Sequence, residues 1–254
     1  MVAVGAPVTA RFAWRSVART HPGHVRPTNE DAYIADDRLG LFLVADGMGG
    51  HAAGEVASRI AAEAVVAVVQ EDPTRDTDPP ALLRRAIRVA YDRIVAYARA
   101  HAEASDLGTT LTALLLRPSG RYALAHLGDS RAYLRRGGEL RRLTRDHTYV
   151  QALVEAGRLR PEVAARHPLR HVLLHVLSAQ GWSEPDVRAG TLQPGDLWVL
   201  ATDGLTNVVD DATLAAILDA PTPLDERAEA LVTLANHRGG PDNITVVLVE
   251  VHAV

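Results

Sequence analysis

The sequence predicts an α+β fold in which antiparallel β-sheets are covered by helices. Three observations carry this expectation. Short apolar runs bounded by Gly, Asp, Asn or Pro read as strands at residues 41–45, 110–116, 122–127, 132–135, 197–202 and 244–251. These runs group as hairpins, with Arg135-Arg136-Gly137-Gly138-Glu139 reading as one hairpin turn. Helical stretches come in pairs, where a doubly wound parallel fold would alternate strand and helix behind a Gly-rich first turn.

Residues 1–10 read as a loose terminus, and residues 11–254 as one domain without internal repeats. A first helix is expected over 55–70. A second is expected over 80–103, with Leu83, Ile87, Tyr91, Ile94 and Ala98 on one face at helical spacing. The loop 71–80 between them is too short to be a linker. Between 145 and 177 lies a segment without strand signals that reads as a mostly helical insert. Its start, Arg145-Asp146-His147-Thr148, offers Asp or Thr as the cap. A late helical pair is expected over 211–218 and 224–236.

Composition removes whole classes of chemistry. The 254 residues contain no cysteine, and all 27 basic residues are arginine. Disulfides, thiolate metal sites, cysteine nucleophiles and every lysine-dependent mechanism are excluded. The net charge of −4 carries no footprint for nucleic acid. No apolar run is long enough to span a bilayer, and the N-terminus lacks a basic stretch of the signal-peptide kind, so a cytoplasmic protein is expected.

The informative feature is where aspartates interrupt apolar strands. The run 41–45 enters Asp46-Gly47-Met48-Gly49-Gly50, and 197–202 enters Asp203-Gly204. The run 122–127 ends at Gly128-Asp129-Ser130, and Asp242-Asn243 precedes 244–251. One Asp-Gly after a strand is most often only a turn. Four carboxylates at buried strand ends are costly to desolvate without a cation, and Arg131 beside Asp129 is the one nearby arginine. An oxygen-only donor set favours magnesium or manganese. Upstream, Arg26-Pro27-Thr28-Asn29-Glu30-Asp31 offers an arginine suited to gripping phosphate and two acids able to orient metal waters.

Six motifs in order, namely Arg26 to Asp31, Asp46 to His51, Gly108-Thr109-Thr110, Gly128-Asp129-Ser130-Arg131, Thr202-Asp203-Gly204 and Gly240-Pro241-Asp242-Asn243, resemble the metal-dependent type 2C serine/threonine protein phosphatases, in their bacterial branch. The resemblance spans about residues 11–251. It implies a four-layer α-β-β-α sandwich, two antiparallel sheets flanked by helices, with 145–177 as a flap beside the active site. It implies two Mn2+ or Mg2+ ions, with a third, weaker site. Asp46 would bridge the two ions, the Gly47 carbonyl would ligate one, and Asp203 and Asp242 the other. Asp129, with Asp203, would serve the third site, and Glu30 would act through metal water. Asp31, Thr110 and Asn243 would support these ligands, and Arg26 would hold the substrate phosphate.

The implied reaction is hydrolysis of phosphoserine and phosphothreonine in proteins by a hydroxide bridging two ions, without a phosphoenzyme. Met48 stands where many eukaryotic relatives carry a histidine, so a metal-bound water is expected to protonate the leaving alkoxide. A catalytically silent binding module of the same fold and a small-molecule phosphatase are the alternatives. The expected partners are phosphorylated proteins, serine/threonine kinases among them, with no nucleic acid, no membrane and a monomeric chain.

Three further groups read as structural. His167, His171 and His175 fall four apart, a spacing that would set them on one helix face as surface or packing residues. The pairs Arg84-Arg85, Arg135-Arg136 and Arg141-Arg142 read as solvated faces. Trp14, Trp182 and Trp198 read as packing residues.

Overall fold

A computed structural model describes residues 12–49, 53–72, 77–164 and 166–254. The terminus 1–10 and His51 lie outside the described residues. Along the chain, β1 (Phe12–His21), β2 (Asp31–Asp36) and β3 (Leu41–Met48) precede α1 (Ala53–Gln70) and α2 (Pro79–Ala100). The short β4 (Gly108–Thr109) leads into β5 (Leu111–Leu116), β6 (Arg121–Leu127), β7 (Arg131–Arg136) and β8 (Glu139–Arg142). Two short helices, α3 (Tyr149–Glu155) and α4 (Pro161–Ala164), precede β9 (Leu177–Ser178), β10 (Asp186–Thr191) and β11 (Leu197–Ala201). The chain closes with α5 (Asp203–Thr206), α6 (Asp211–Leu218), α7 (Leu224–His237) and β12 (Ile244–Ala253).

Two antiparallel sheets result. One runs β1-β12-β11-β7-β8, and the other runs β10-β6-β5-β3-β4-β9 with β2 also paired to β3. The two-residue side-chain period of strands assigns the layers. In β3, Leu41, Leu43 and Ala45 join the core under α1 and α2, while Phe42 and Val44 point between the sheets. In β11 and β12, Val199, Ala201, Val246 and Leu248 pack under α6 and α7, while Trp198, Leu200, Val247 and Val249 fill the inter-sheet layer. Strands covered on both faces read as continuous apolar runs, which is why these were legible.

The β7–β8 turn is the expected hairpin. Gly137 and Gly138 have φ of 57° and 88°, the left-handed pair that a two-residue turn needs. Helix α2 begins on two prolines, with the Asp78 side chain accepting from Ala81 N. Trp198 is fully buried, Trp14 lines the inter-sheet core, and Trp182 packs edge-on to Tyr91 beneath Arg88.

Several expectations are corrected. Strands β1, β2 and β10 were not anticipated. Their residues are mostly intermediate or exposed, so they carry little apolar signal. The insert 145–177 is not mostly helical. Among the described residues only α3 and α4 form there, and 166–176 runs through turns, so His167, His171 and His175 do not share a helix. Thr148 is the cap of α3, accepting from Gln151 N at 3.2 Å. Asp146 instead binds Arg131 and Arg142. The solvated reading fails for Arg136 and Arg142, which form partly buried ion pairs with Asp196 and Asp146.

Candidate metal centre

At one end of the sandwich the inter-sheet layer turns from apolar to polar without leaving its two-residue period. Continuing from Phe42 and Val44, the next side chain is Asp46. From Leu114 the sequence of inward residues is Thr112 and Thr110, from Trp198 and Leu200 it is Thr202, and from Val247 it is Thr245 and Asn243. The same alternation that builds the core therefore aims the polar groups at each other.

Asp31 lies opposite Asp46 in the β2–β3 register. Its Oδ2 accepts from Thr245 Oγ1 at 2.6 Å and Thr202 Oγ1 at 2.9 Å, which ties β2 to the other sheet. Thr110 fixes Asp46 from the opposite side. Its Oγ1 accepts from Asp46 N at 2.9 Å, its own N donates to Asp46 O, and its hydroxyl also meets Ser130 Oγ at 2.8 Å. Asn243 holds the loop 22–30. Its Oδ1 accepts from Glu30 N at 2.8 Å, and its Nδ2 donates to Thr28 O and Pro22 O.

Glycines make the close approach possible. A Cβ on Gly54 would stand 2.1 Å from Glu30 Oε2, and one on Gly47 2.2 Å from Gly54 O. The start of α1 thus lies against Gly47 and against the Glu30 carboxyl.

The electrostatics are those of crowded acids. Burial pushes Asp46 well above the usual carboxylate range, and Asp31, Asp203, Asp129 and Asp242 push it further. Burial raises Asp129 to about 8, with Asp203 adding to the rise. Burial lifts Asp31 to about 7 against the opposing effect of its two threonine donors. Asp203 is raised by burial and Asp242, and it accepts a bond from Asn207 Nδ2 at 2.9 Å. Glu30 is raised by burial. Arg26 Nη2 sits 2.7 Å from Asp242 Oδ2. Arg131 turns from Asp129 to Asp146, with contacts of 2.8 and 3.2 Å.

These residues fit divalent cations. Among the described residues, Asp31 Oδ1 and Asp203 Oδ1 are buried without a hydrogen-bond partner, acceptors that suit a cation. Among the described residues no three acidic or imidazole groups enclose an ion by themselves. That agrees with a hard ion that keeps several waters and takes one or two carboxylates.

All the sequence-predicted site residues meet in this end of the sandwich, or in the loop 22–30 beside it. Sequence reasoning gave no role to Thr245, Gly54 or Ser130, whose contacts are set by packing between distant segments. It also missed His171, whose Nδ1 lies 4.0 Å from Asp203 Oδ2. The segment 166–176 therefore reaches the site, as a flap would.

The chain is similar to known proteins. The protein phosphatase 2C family pattern matches residues 24–234. The serine/threonine protein phosphatase PstP of Mycobacterium tuberculosis is 41% identical over 237 residues, covering 93% of this chain and 45% of PstP. The chain therefore spans about half the length of that relative. The serine/threonine phosphatase stp of Listeria innocua is 38% identical, covering 91% of this chain and 94% of its own. The catalytic domain of PstP in complex with two manganese ions superposes with a TM-score of 0.87 at 39% identity, covering 95% of this chain and 99% of that one. On the extent of these matches, this chain belongs to the protein phosphatase 2C family.

Proposed function

We propose that the chain hydrolyses phosphoserine and phosphothreonine esters in proteins with the help of two divalent cations, manganese or magnesium. The carrying observation is the convergence of Asp46, Asp129, Asp203 and Asp242 from both sheets on one mostly buried end of the sandwich. When bound, the ions supply an acidified water and neutralise phosphoryl charge.

The residues divide the remaining work. Asp46, the Gly47 carbonyl, Asp203 and Asp242 hold the two ions, and Asp129 with Asp203 holds a weaker third. Glu30 orients water at the rim. Asp31, Thr110 and Asn243 keep the ligand-bearing backbone in register. Arg26 is 55% exposed at its side chain, so it can leave Asp242 for the substrate phosphate and grip two of its oxygens. A fixed fork of this kind stabilises charge as the phosphoryl group transfers.

Likeness to bacterial serine/threonine phosphatases supports phosphoprotein substrates, and the rest is part of the same proposal. The substrates are phosphoproteins, serine/threonine kinases among them, and the chain acts as a monomer in the cytoplasm. No helix among the described residues is long and apolar enough to cross a membrane.

The test is phosphate release from a phosphothreonine peptide by purified protein, with and without manganese, beside an Asp46→Asn variant. Turnover that requires manganese and is lost in the variant supports the proposal. Absence of turnover, with manganese binding intact by calorimetry, overturns it in favour of a binding module or a small-molecule phosphatase.

A further inference from the structure

The segment that brings His171 to Asp203 carries an unusual charge. Residues 158–171 contain Arg158, Arg160, Arg166 and Arg170 against a single acid, Glu162, in a chain whose net charge is −4. All four arginines are exposed, and none has a carboxylate within ion-pair distance among the described residues. Arginines that precede this segment in the chain behave differently. Arg131 and Arg142 bind Asp146, and Arg145 binds Glu155.

The backbone keeps the four arginines on one compact stretch. Turn bonds link Val163 N to Arg160 O, Arg166 N to Val163 O, His167 N to Ala164 O and Arg170 N to His167 O. Beyond it, Tyr149 N donates to Val172 O, and Leu174 N to His147 O, at 2.8 Å each. This pins the segment to the start of α3 and leaves Arg170 next in sequence to the residue that faces Asp203.

A basic edge beside an acidic cleft has a direct consequence for substrates. A second anionic group close to the reacting phosphoester would be repelled by the carboxylates and attracted by the arginines. A phosphate offers three acceptor oxygens and nearly two charges, so it can engage two guanidinium forks, where a carboxylate accommodates one.

The geometry points to an accessory phosphate-recognition edge formed by Arg166 and Arg170, which selects protein segments phosphorylated at a second residue near the ester being hydrolysed. This inference rests on the phosphatase reading above and names its preferred substrate class.

The test uses three phosphothreonine peptides of one sequence in the manganese-loaded protein. One carries alanine at the flanking position, one glutamate, and one a non-hydrolysable phosphonate, so that each has a single reactive ester. The phosphonate peptide is expected to show kcat/KM about fivefold above the alanine peptide, expressed in KM, from two exposed charge pairs. In the double variant Arg166→Ala/Arg170→Ala the ratio should fall toward one, while Arg166→Lys/Arg170→Lys should retain part of it. Added salt should erode the ratio in the parent. Circular dichroism melts confirm that each variant is folded.

Equal kcat/KM for the three peptides, a phosphonate preference that survives the alanine variant, or an equal preference for glutamate would each overturn the inference while leaving the phosphatase reading standing. No turnover of any peptide would overturn both.

Discussion

Asp31 and Asp46 stand directly opposite one another across the β2–β3 ladder, two buried carboxyl groups on neighbouring strands. Like charges so placed are destabilising. The Asp46→Asn substitution should therefore raise the melting temperature of the metal-free protein while lowering phosphopeptide turnover about a thousandfold. Manganese should raise the melting temperature of the parent more than that of the variant. Melts in chelator and in manganese check both halves. A variant less stable than the parent in chelator would sink the account of the site as crowded acids.

Gly54 decides whether Glu30 can reach the cleft. Replacing a helical glycine by alanine ordinarily stabilises by about 1 kcal/mol. Here the added Cβ would fall 2.1 Å from Glu30 Oε2. Gly54→Ala is expected to lower kcat/KM about tenfold without raising the melting temperature. Unchanged kinetics would show that the Glu30 carboxyl has no place in the reaction.

Asn243 makes three hydrogen bonds to the backbone of the loop that carries Arg26 and Glu30. Asn243→Ala removes three bonds to the part-buried and exposed backbone of this loop, at a cost of about 1–2 kcal/mol. The loosened loop should raise KM for phosphopeptide as Arg26 loses its position. Denaturant unfolding gives the first quantity and steady-state kinetics the second. A variant that loses stability with KM intact would separate the loop from substrate binding.

His126 sets a limit on acid stability. Burial pushes its imidazole down to about 3, aided by His147, and its nitrogens meet Thr112 Oγ1 and Arg145 O. Its pKa is lower in the folded than in the unfolded chain, where it is near 6.5, so the unfolded state binds the extra proton first. Its contribution is complete above pH 6.5 and declines as pH falls from 6.5 toward 3, at about 1.4 kcal/mol per unit. Unfolding measured between pH 7 and 4.5 should fall more steeply in the parent than in His126→Gln. Parallel curves would mean that the imidazole is protonated within the fold.

The sequence by itself determined the strands that are covered on both sides and the order of the chemistry-bearing motifs. Leu41 to Ala45, Leu197 to Ala201 and Ile244 to Val251 announce themselves because burial on both faces demands unbroken apolarity. The aspartates that end or precede such runs stand out because burying an unpaired charge is costly. Other features were decided only by tertiary structure. Strands β1, β2 and β10 are half-exposed and are strands because neighbours pair with them. Residues 145–177, without strand signals, read as mostly helical, yet 166–176 runs as turns with His171 near Asp203. Thr202 and Thr245 became partners of Asp31 across 171 and 214 residues of chain. Local pattern records how a residue meets its own strand or helix. Which carboxylate it meets depends on how two sheets stack, and that information lies in packing between segments far apart in sequence.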